Sequence, residues 1–385
     1  MREKRKDNKG RVLKDGEQQR QDGRYVYRYT TPDGKRQSLY AGTLQELREK
    51  EAAALQSLRD GLDYHAGSMT VANLVDRYLA QKRDVRVNTQ HGYDFVKSLL
   101  QKEEFGHRAI RDIRVSDAKL WFLDLRDRGL SYNTVCSIRG VVRPAFQMAV
   151  DDDLLRKNPF SFYLKDVLRN DTVSKSALSP EEVESFLEFV QDDIARSKHY
   201  DEIVILLETG LRVSELCGLT MDDIDFANRR ITVDRQLLRT KKGKYYIEYP
   251  KTKSGKRIVP MSNTAYFALK RTIQNRKKPK KEYVVDGHKG FLFLDMDEKP
   301  KIALHLQHAL KRITNNYNEA HNTNLRVTPH ILRHTFCTNL ANQGYSVKSL
   351  QYIMGHADAY TTMNIYAHSS YEQVEKEFLA MTANG

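Results

Sequence analysis

The sequence predicts a multidomain, mainly α chain: a small N-terminal β-sheet backed by one helix, a helical second domain, and a mixed, mainly α third domain interrupted by a three-stranded antiparallel sheet. Three observations predict it. The 385 residues exceed what one ordinary core serves. Aromatic residues near the N-terminus alternate with period two, whereas most later apolar residues recur with helical spacing. Hydrophobic residues make up 40% and charged residues 30%, which suits soluble globular domains.

In "GRYVYRYT", Tyr25, Tyr27 and Tyr29 alternate against Arg24, Val26 and Arg28, and "PDG" at 32–34 turns the chain before "KRQSLYAG". This reads as a hairpin with aromatic and basic faces, joined by a third short strand near Arg11 to Leu13. Thr43 and Glu46 form a capping box for a helix striped by Leu44, Leu47, Leu55 and Leu58 and closed by Gly61. These elements make a domain over 1–67. A helical domain over 68–165 follows, in which Thr70 caps "VANLVDRYLAQKR", Ser116 caps "DAKLWFLDLRDRG" and Ser131 caps a helix that Pro144 should kink. A polar stretch, 166–178, reads as a linker. The third domain, 179–385, starts at Ser179 with Pro180 in the first position and Glu182 reaching back. Within it "RRITVDRQLL", "KYYIEYP" and "KRIVPM" read as three antiparallel strands, with "KTKSG" the turn between the second and third.

The 64 Lys and Arg against 50 Asp and Glu leave a net charge of +14 and a pI near 9.4. Such an excess favours a polyanionic partner, although a merely solvated basic surface has the same composition. The first forty residues alone hold 12 basic and 6 acidic side chains. Arg24, Arg28, Lys35 and Arg36 on the hairpin, and Lys82, Arg83, Arg86 and Arg139 in the helical domain, are candidates for contact with nucleic-acid phosphates. Each alone reads equally as a solvated charge. No apolar run approaches the roughly 18 residues of a membrane span, and the charged N-terminus does not read as a signal peptide. Cys136, Cys217 and Cys337 show no metal-ligand spacing, so reduced thiols in a cytoplasmic protein are expected.

"TPHILRHTF" places His330, Arg333 and His334 just after a Thr–Pro helix start. With Thr328 as cap, His330 and Arg333 share a face near the positive helix end, where an anion is favoured. A metal-binding pair of His330 and His334 is the alternative. It lacks the glutamate of an H-E-x-x-H site and sets Arg333 beside the ion. An ordinary helix carrying polar residues stays open. "TGLRVSELCGL" ends one helix at Gly210 and starts another with Arg212 in its first turn and Glu215 three residues on, a bland salt bridge or a guanidinium held for phosphate. In "MGHADAYTTMNIYAH", Gly355 ends a helix that begins after Ser346, His356 follows, and Thr361 can cap a short helix carrying Tyr366.

"GLRVSEL", "TKSG", "HILRH", "MGH" and "IYAH" occur in the order found in the tyrosine recombinases, the lambda-integrase family, which the whole chain resembles. "DNKGRVLKDGEQQRQDGRYVYRY" and "CTNLANQGYSVKSLQYIMGHA" closely resemble integrases of bacterial conjugative transposons. The resemblance implies an arm-site DNA-binding domain, a helical core-binding domain and a catalytic domain. It implies that Arg212 and Arg333 hold the scissile phosphate, that His330 and His356 are the two motif histidines, that Lys253 is the β-turn lysine, that Glu215 supports Arg212 and that Tyr366 is the nucleophile, with Tyr360 the second choice. It further implies a homotetramer on double-stranded DNA, a C-terminal helix (Val374, Phe378, Leu379, Met381) docked on a neighbour, an accessory excision or DNA-bending protein, and no cofactor or metal. The alternatives are a phage or chromosomal recombinase of the same chemistry, a metal-dependent hydrolase using His330 and His334, and a DNA-binding protein without activity.

That chemistry suits these residue types. Phenol attack on a phosphodiester builds charge on oxygens that two permanently charged guanidiniums answer. Ionising a tyrosine of pKa about 10 at neutral pH costs about 4 kcal/mol, so a nearby base, for which His330 is suited, or a cationic field must help. Lys253 on its turn suits protonation of the leaving 5′-hydroxyl, and His356 suits a hydrogen bond to the same phosphate.

Overall fold

Tyr25 and Tyr27 pack inward with Leu39 and Ala41 against Leu44, Leu47 and Ala54 of the first helix, forming a small aromatic and aliphatic core. The computed structural model describes residues 5–30, 36–59, 69–172, 176–250, 252–356 and 363, without the side chains of 57–59 and 253. The chain divides into two units, 1–173 and 174–385. In the first, β1 (Glu17–Gln19), β2 (Tyr25–Thr30) and β3 (Arg36–Ala41) form an antiparallel sheet in that order, followed by α1 (Leu44–Arg59). The register pairs Tyr25 with Ala41 and Tyr27 with Leu39, so the tyrosines lie on the core side and Arg28, opposite Ser38, on the exposed side.

Two expectations for this region change. The third strand is Glu17–Gln19, not Arg11 to Leu13, because the Arg11 backbone N–H and carbonyl both go to Asp7 (2.8 and 2.9 Å) and leave only a Lys6–Val12 bridge. The capping box is half formed: Thr43 accepts from the Glu46 N–H at 3.2 Å, while the Glu46 carboxylate turns to the Gly42 N–H. The turn at 32–34, Lys35 and Gly61 lie outside the described residues.

Next come α2 (Val71–Ala80), α3 (Val87–Lys102), α4 (Glu104–His107), α5 (Val115–Asp127) and α6 (Tyr132–Asp151). Thr70 and Ser131 cap α2 and α6, accepting from Asn73 (3.3 Å) and Thr134 (3.2 Å). Ser116 is not a cap. It lies inside α5, whose start is set by the Asp117 carboxylate accepting the Arg114 N–H at 2.8 Å. Helix α6 runs through Pro144 as one 20-residue element. Leu74, Val96, Trp121, Phe122, Phe146, Phe160 and Leu164 build the core, and Leu168 extends it into the stretch expected as linker.

The second unit comprises α7 (Pro180–Gln191), α8 (Ile194–Ser197), α9 (Tyr200–Thr209), α10 (Val213–Gly218), β4 (Ile224–Asp225), β5 (Arg230–Val233), β6 (Gln236–Arg239), β7 (Tyr245–Glu248), β8 (Arg257–Pro260), α11 (Asn263–Asn275), α12 (Ala303–His321), α13 (Pro329–Asn342) and α14 (Val347–Met354). Ser179 and Glu182 close a complete capping box on α7. Helix α9 is buried along most of its length and packs against α11 and α13. "RRITVDRQLL" is two strands, not one. It breaks at Asp234–Arg235, where the buried Arg235 guanidinium bonds Asp223, Thr220 and Asp234. The three-stranded sheet is therefore β4-β5-β8, and β6 and β7 pair separately as a hairpin.

Candidate active site

Helix α9 ends at Gly210, whose φ of +60° lets the chain turn at once toward α10. A Cβ at Gly210 would come within 2.3 Å of the Phe336 ring. Arg212 is the N-cap of α10, just ahead of the first turn in which the sequence puts it. Its backbone N–H donates to Glu215 Oε2 at 2.8 Å and its Nη1 to Glu215 Oε1 at 2.6 Å. Thr328 caps α13 by accepting the Ile331 N–H at 3.2 Å, with Pro329 in the first position. That start sets His330 on the exposed face and Arg333 inside, 4% exposed.

Ser346 caps α14 and Gly355 ends it in the left-handed conformation, φ +61°. The last carbonyls of a helix have no partner within it and carry its negative dipole end. Here three consecutive ones accept from three different arginines. Ile353 O accepts from Arg257 Nε at 2.6 Å, Met354 O from Arg333 Nη2, and Gly355 O from Arg212 Nη2 at 3.1 Å. Arg333 Nη1 also donates to Gly210 O. Arg257 donates to both Glu215 oxygens, at 2.9 and 3.2 Å. His356 follows directly on this clamp.

Arg212 and Arg257 bond the single carboxylate of Glu215, while Arg333 bonds only carbonyls, so three guanidiniums face one carboxylate and the site is strongly cationic. Burial opposes the charge on Glu215, yet the hydrogen bonds and charge of Arg257, then Arg212, hold its pKa down at about 2. Burial, then the like charge of Arg212, pushes Arg333 down to about 9, still charged at neutral pH. Burial and the charges of Arg333, Arg212 and Arg257 lower His356 to about 4, leaving a neutral imidazole. Each guanidinium has five N–H donors, and these bonds use only part of that set on Arg212 and Arg333. A neutral imidazole beside two such forks is an arrangement for a tetrahedral oxyanion.

The structure therefore brings Arg212, Glu215, Arg333 and His356 together through the end of α14. His330, in the first turn of α13, acts electrostatically on His356. Lys253 lies in a single helical turn, Lys253–Gly255, and its side chain, like Tyr360, Tyr366 and the C-terminal helix, is outside the described residues. His334 bonds Thr338 Oγ1 at 3.0 Å, and no group of three or more His, Cys, Asp or Glu among the described residues could hold a metal ion. No helix among them is long and apolar enough to cross a membrane. Arg24, Arg28 and Arg36 are exposed, as are Lys82, which lies over the Tyr78 ring, and Arg83. Arg86 precedes α3 as its N-cap. Arg139 is spent structurally, its Nη2 donating to the Phe160 carbonyl (3.3 Å) and the Phe162 carbonyl (2.5 Å).

Sequence reasoning missed Arg257. The signal was present: β8 buries alternate residues, and Arg257 shares the inward face with Val259 while Ile258 is exposed.

A cationic site held by two helix starts and one helix end, within a mainly α unit, is suited to an anionic group. Residues 176–373 match the phage integrase family and residues 1–58 the DNA-binding domain of the Tn916 integrase, so the chain belongs to the phage integrase family, the tyrosine-type site-specific DNA recombinases. It is 44% identical to the transposase from transposon Tn1545 of Streptococcus agalactiae and to that from transposon Tn916 of Enterococcus faecalis, over 98% of this chain and 96% of each relative. Solved structures of the Tn1549 transposon integrase, in complex with a circular intermediate DNA and with transposon right-end DNA, superpose with a TM-score of 0.77 at 44% identity, covering 82% of this chain and 100% of theirs. The chain is thus a site-specific recombinase of the transposon-integrase type.

Proposed function

We propose that this recombinase integrates and excises a conjugative transposon, with Arg212, Arg333 and His356 holding the scissile phosphate and Tyr366 attacking it. The observation that carries this reading is the triple clamp on α14, which fixes His356 beside two guanidiniums with donors to spare. Tyr366 Oη forms a bond to phosphorus as the bond to the 5′-oxygen breaks. The phenol proton passes to His330, and Lys253 protonates the departing 5′-oxygen. Charge that builds on the non-bridging oxygens meets donors already oriented, so little reorganisation is needed in the transition state. The 3′-phosphotyrosine keeps the energy of the phosphodiester, and a 5′-hydroxyl from another strand reverses the step.

The chain binds double-stranded DNA in this reading, with 1–67 on arm sites, 68–165 on core sites and 179–385 at the cleavage point, four protomers acting together with an accessory DNA-bending protein. The net charge of +14 supports a polyanionic partner. The test is a suicide substrate bearing the element's ends. A covalent adduct is expected in EDTA, mapping to Tyr366 and absent from Tyr366→Phe. An adduct that persists in that variant moves the nucleophile to Tyr360, and one that requires divalent metal overturns the reading. Affinity for DNA should also fall steeply with salt, each neutralised phosphate adding about 0.9 to the log–log slope.

A further inference from the structure

Arg257 occupies a place among the site residues that its burial makes distinctive. Its side chain has no solvent exposure, and it belongs to β8, two residues beyond the turn that carries Lys253. One guanidinium joins three separate segments. Nε donates to Ile353 O at 2.6 Å, just ahead of Gly355 and His356. Nη1 and Nη2 hold both oxygens of Glu215, and Nη1 also lies 3.5 Å from Gly255 O, the last residue of the Lys253 turn. Glu215 in turn directs Arg212 through two further bonds.

We propose that Arg257 is a positioning residue for strand cleavage: by gripping Glu215 and the end of α14 together, it sets the direction in which Arg212 and His356 meet the phosphate. Fully buried, Arg257 cannot itself touch DNA, so its effect passes through those two residues. The inference rests on reading Arg212 and Arg333 as the phosphate clamp. Lysine cannot replace it, because a single ammonium lacks the planar fork that grips both Glu215 oxygens while Nε reaches a carbonyl. Glu215 would then be held chiefly by Arg212, and that guanidinium would be drawn toward the carboxylate and away from the oxygen it serves.

The experiment compares Arg257→Lys with wild type for covalent-adduct formation on two substrates, one with an ordinary scissile phosphate and one with a methylphosphonate, in which a methyl group replaces a charged non-bridging oxygen. On the phosphodiester, cleavage should fall roughly 10–100-fold, the usual effect of losing a group that orients a site residue, with DNA affinity unchanged. On the methylphosphonate, in at least one diastereomer, the deficit should shrink to a few-fold, since the interaction that Arg257 aims is no longer made. A role in folding alone would give the same deficit on both substrates, and that result, or no deficit on the phosphodiester, overturns the proposal. Glu215→Gln keeps Arg257 but weakens its grip, and should show the same substrate dependence should Arg257→Lys fail to fold. Equal loss on both substrates there likewise overturns it. Arg212→Ala is the control: if it cleaves the phosphodiester normally, the phosphate-clamp reading itself fails, whereas a dead Arg212→Ala beside a normal Arg257→Lys sinks only this inference.

Discussion

Arg212 donates to the carbonyl of Gly355 at 3.1 Å, so the guanidinium that Glu215 orients also holds the residue immediately before His356. The two motifs lie far apart in sequence, and this bond makes their geometry a single quantity. Displacing the turn displaces the arginine.

Gly355→Ala tests that coupling. Its φ of +61° is left-handed, which costs an ordinary residue roughly 1–2 kcal/mol. A Cβ there would also meet Arg257 Nη1 at 2.9 Å and the Ser254 carbonyl at 3.1 Å. The expected outcome is a lower melting temperature and cleavage of a suicide substrate at least about 10-fold slower, consistent with the effect of disturbing groups that orient a site. Wild-type cleavage by this variant would show that the turn does not place His356.

Arg333→Lys separates binding from chemistry. Arg333 bridges Gly210 O and Met354 O, a two-pronged contact that one ammonium cannot repeat. Losing an oriented donor to a transition-state oxyanion costs about 10²–10³ in rate, or roughly 3–4 kcal/mol. Single-turnover cleavage should fall by that factor while gel-shift affinity changes little. An equal loss of both would assign Arg333 to ground-state DNA binding.

Much of this site was legible because its signals are local. Caps such as Ser179, Thr328 and Ser346 need only their own first turn, and the order of short motifs pointed to Arg212, Arg333 and His356. Tertiary partners decided what was not legible. Asp7 takes Arg11 out of the N-terminal sheet, Asp223 draws Arg235 inward and splits a strand, and Asp117 starts α5 ahead of Ser116. The tyrosines of β2 read as one face of a hairpin, and only the packing of α1 shows that Tyr25 and Tyr27 are core, since the same alternation serves either face until a helix covers one. Arg257 escaped notice because a charge within a strand reads as solvent-facing unless its buried partners are known.

Acid should loosen the site before it denatures the rest. His356 is depressed from its ordinary 6.5 to about 4, first by burial and then by Arg333 and Arg212. The unfolded chain therefore takes up the proton first, and the stability involved is fully present above about pH 6.5 and lost as pH falls toward 4. Glu215, lowered from 4.5 to about 2, adds a second loss below pH 4.5. Thermal melts of DNA-free protein should fall between pH 6.5 and 4, and His356→Gln should flatten that window while keeping the steeper fall below it. Parallel curves for the two proteins would mean that His356 titrates normally.

Phe160 offers a test in the first unit. It lies beyond α6, yet its ring is fully buried, with centroids 5.0 Å from Phe146, 5.4 Å from Phe122 and 6.2 Å from Trp121. Its backbone N–H donates to Asn158 Oδ1 at 2.9 Å, and the Asn158 amide donates to Arg143 O at 3.0 Å, so the chain after α6 is fastened back onto the helix. Truncating such a ring removes its transfer energy and leaves a cavity, about 3–5 kcal/mol together. In a unit of this size each kcal/mol moves the midpoint by several degrees. Phe160→Ala in the full chain should therefore lower the first unit's transition by roughly 6–20 °C, while Tyr163→Ala, at a site 71% exposed, should move it little. Similar shifts for the two would mean that the segment after α6 packs no core, and a transition confined to the second unit would place Phe160 outside the helical domain.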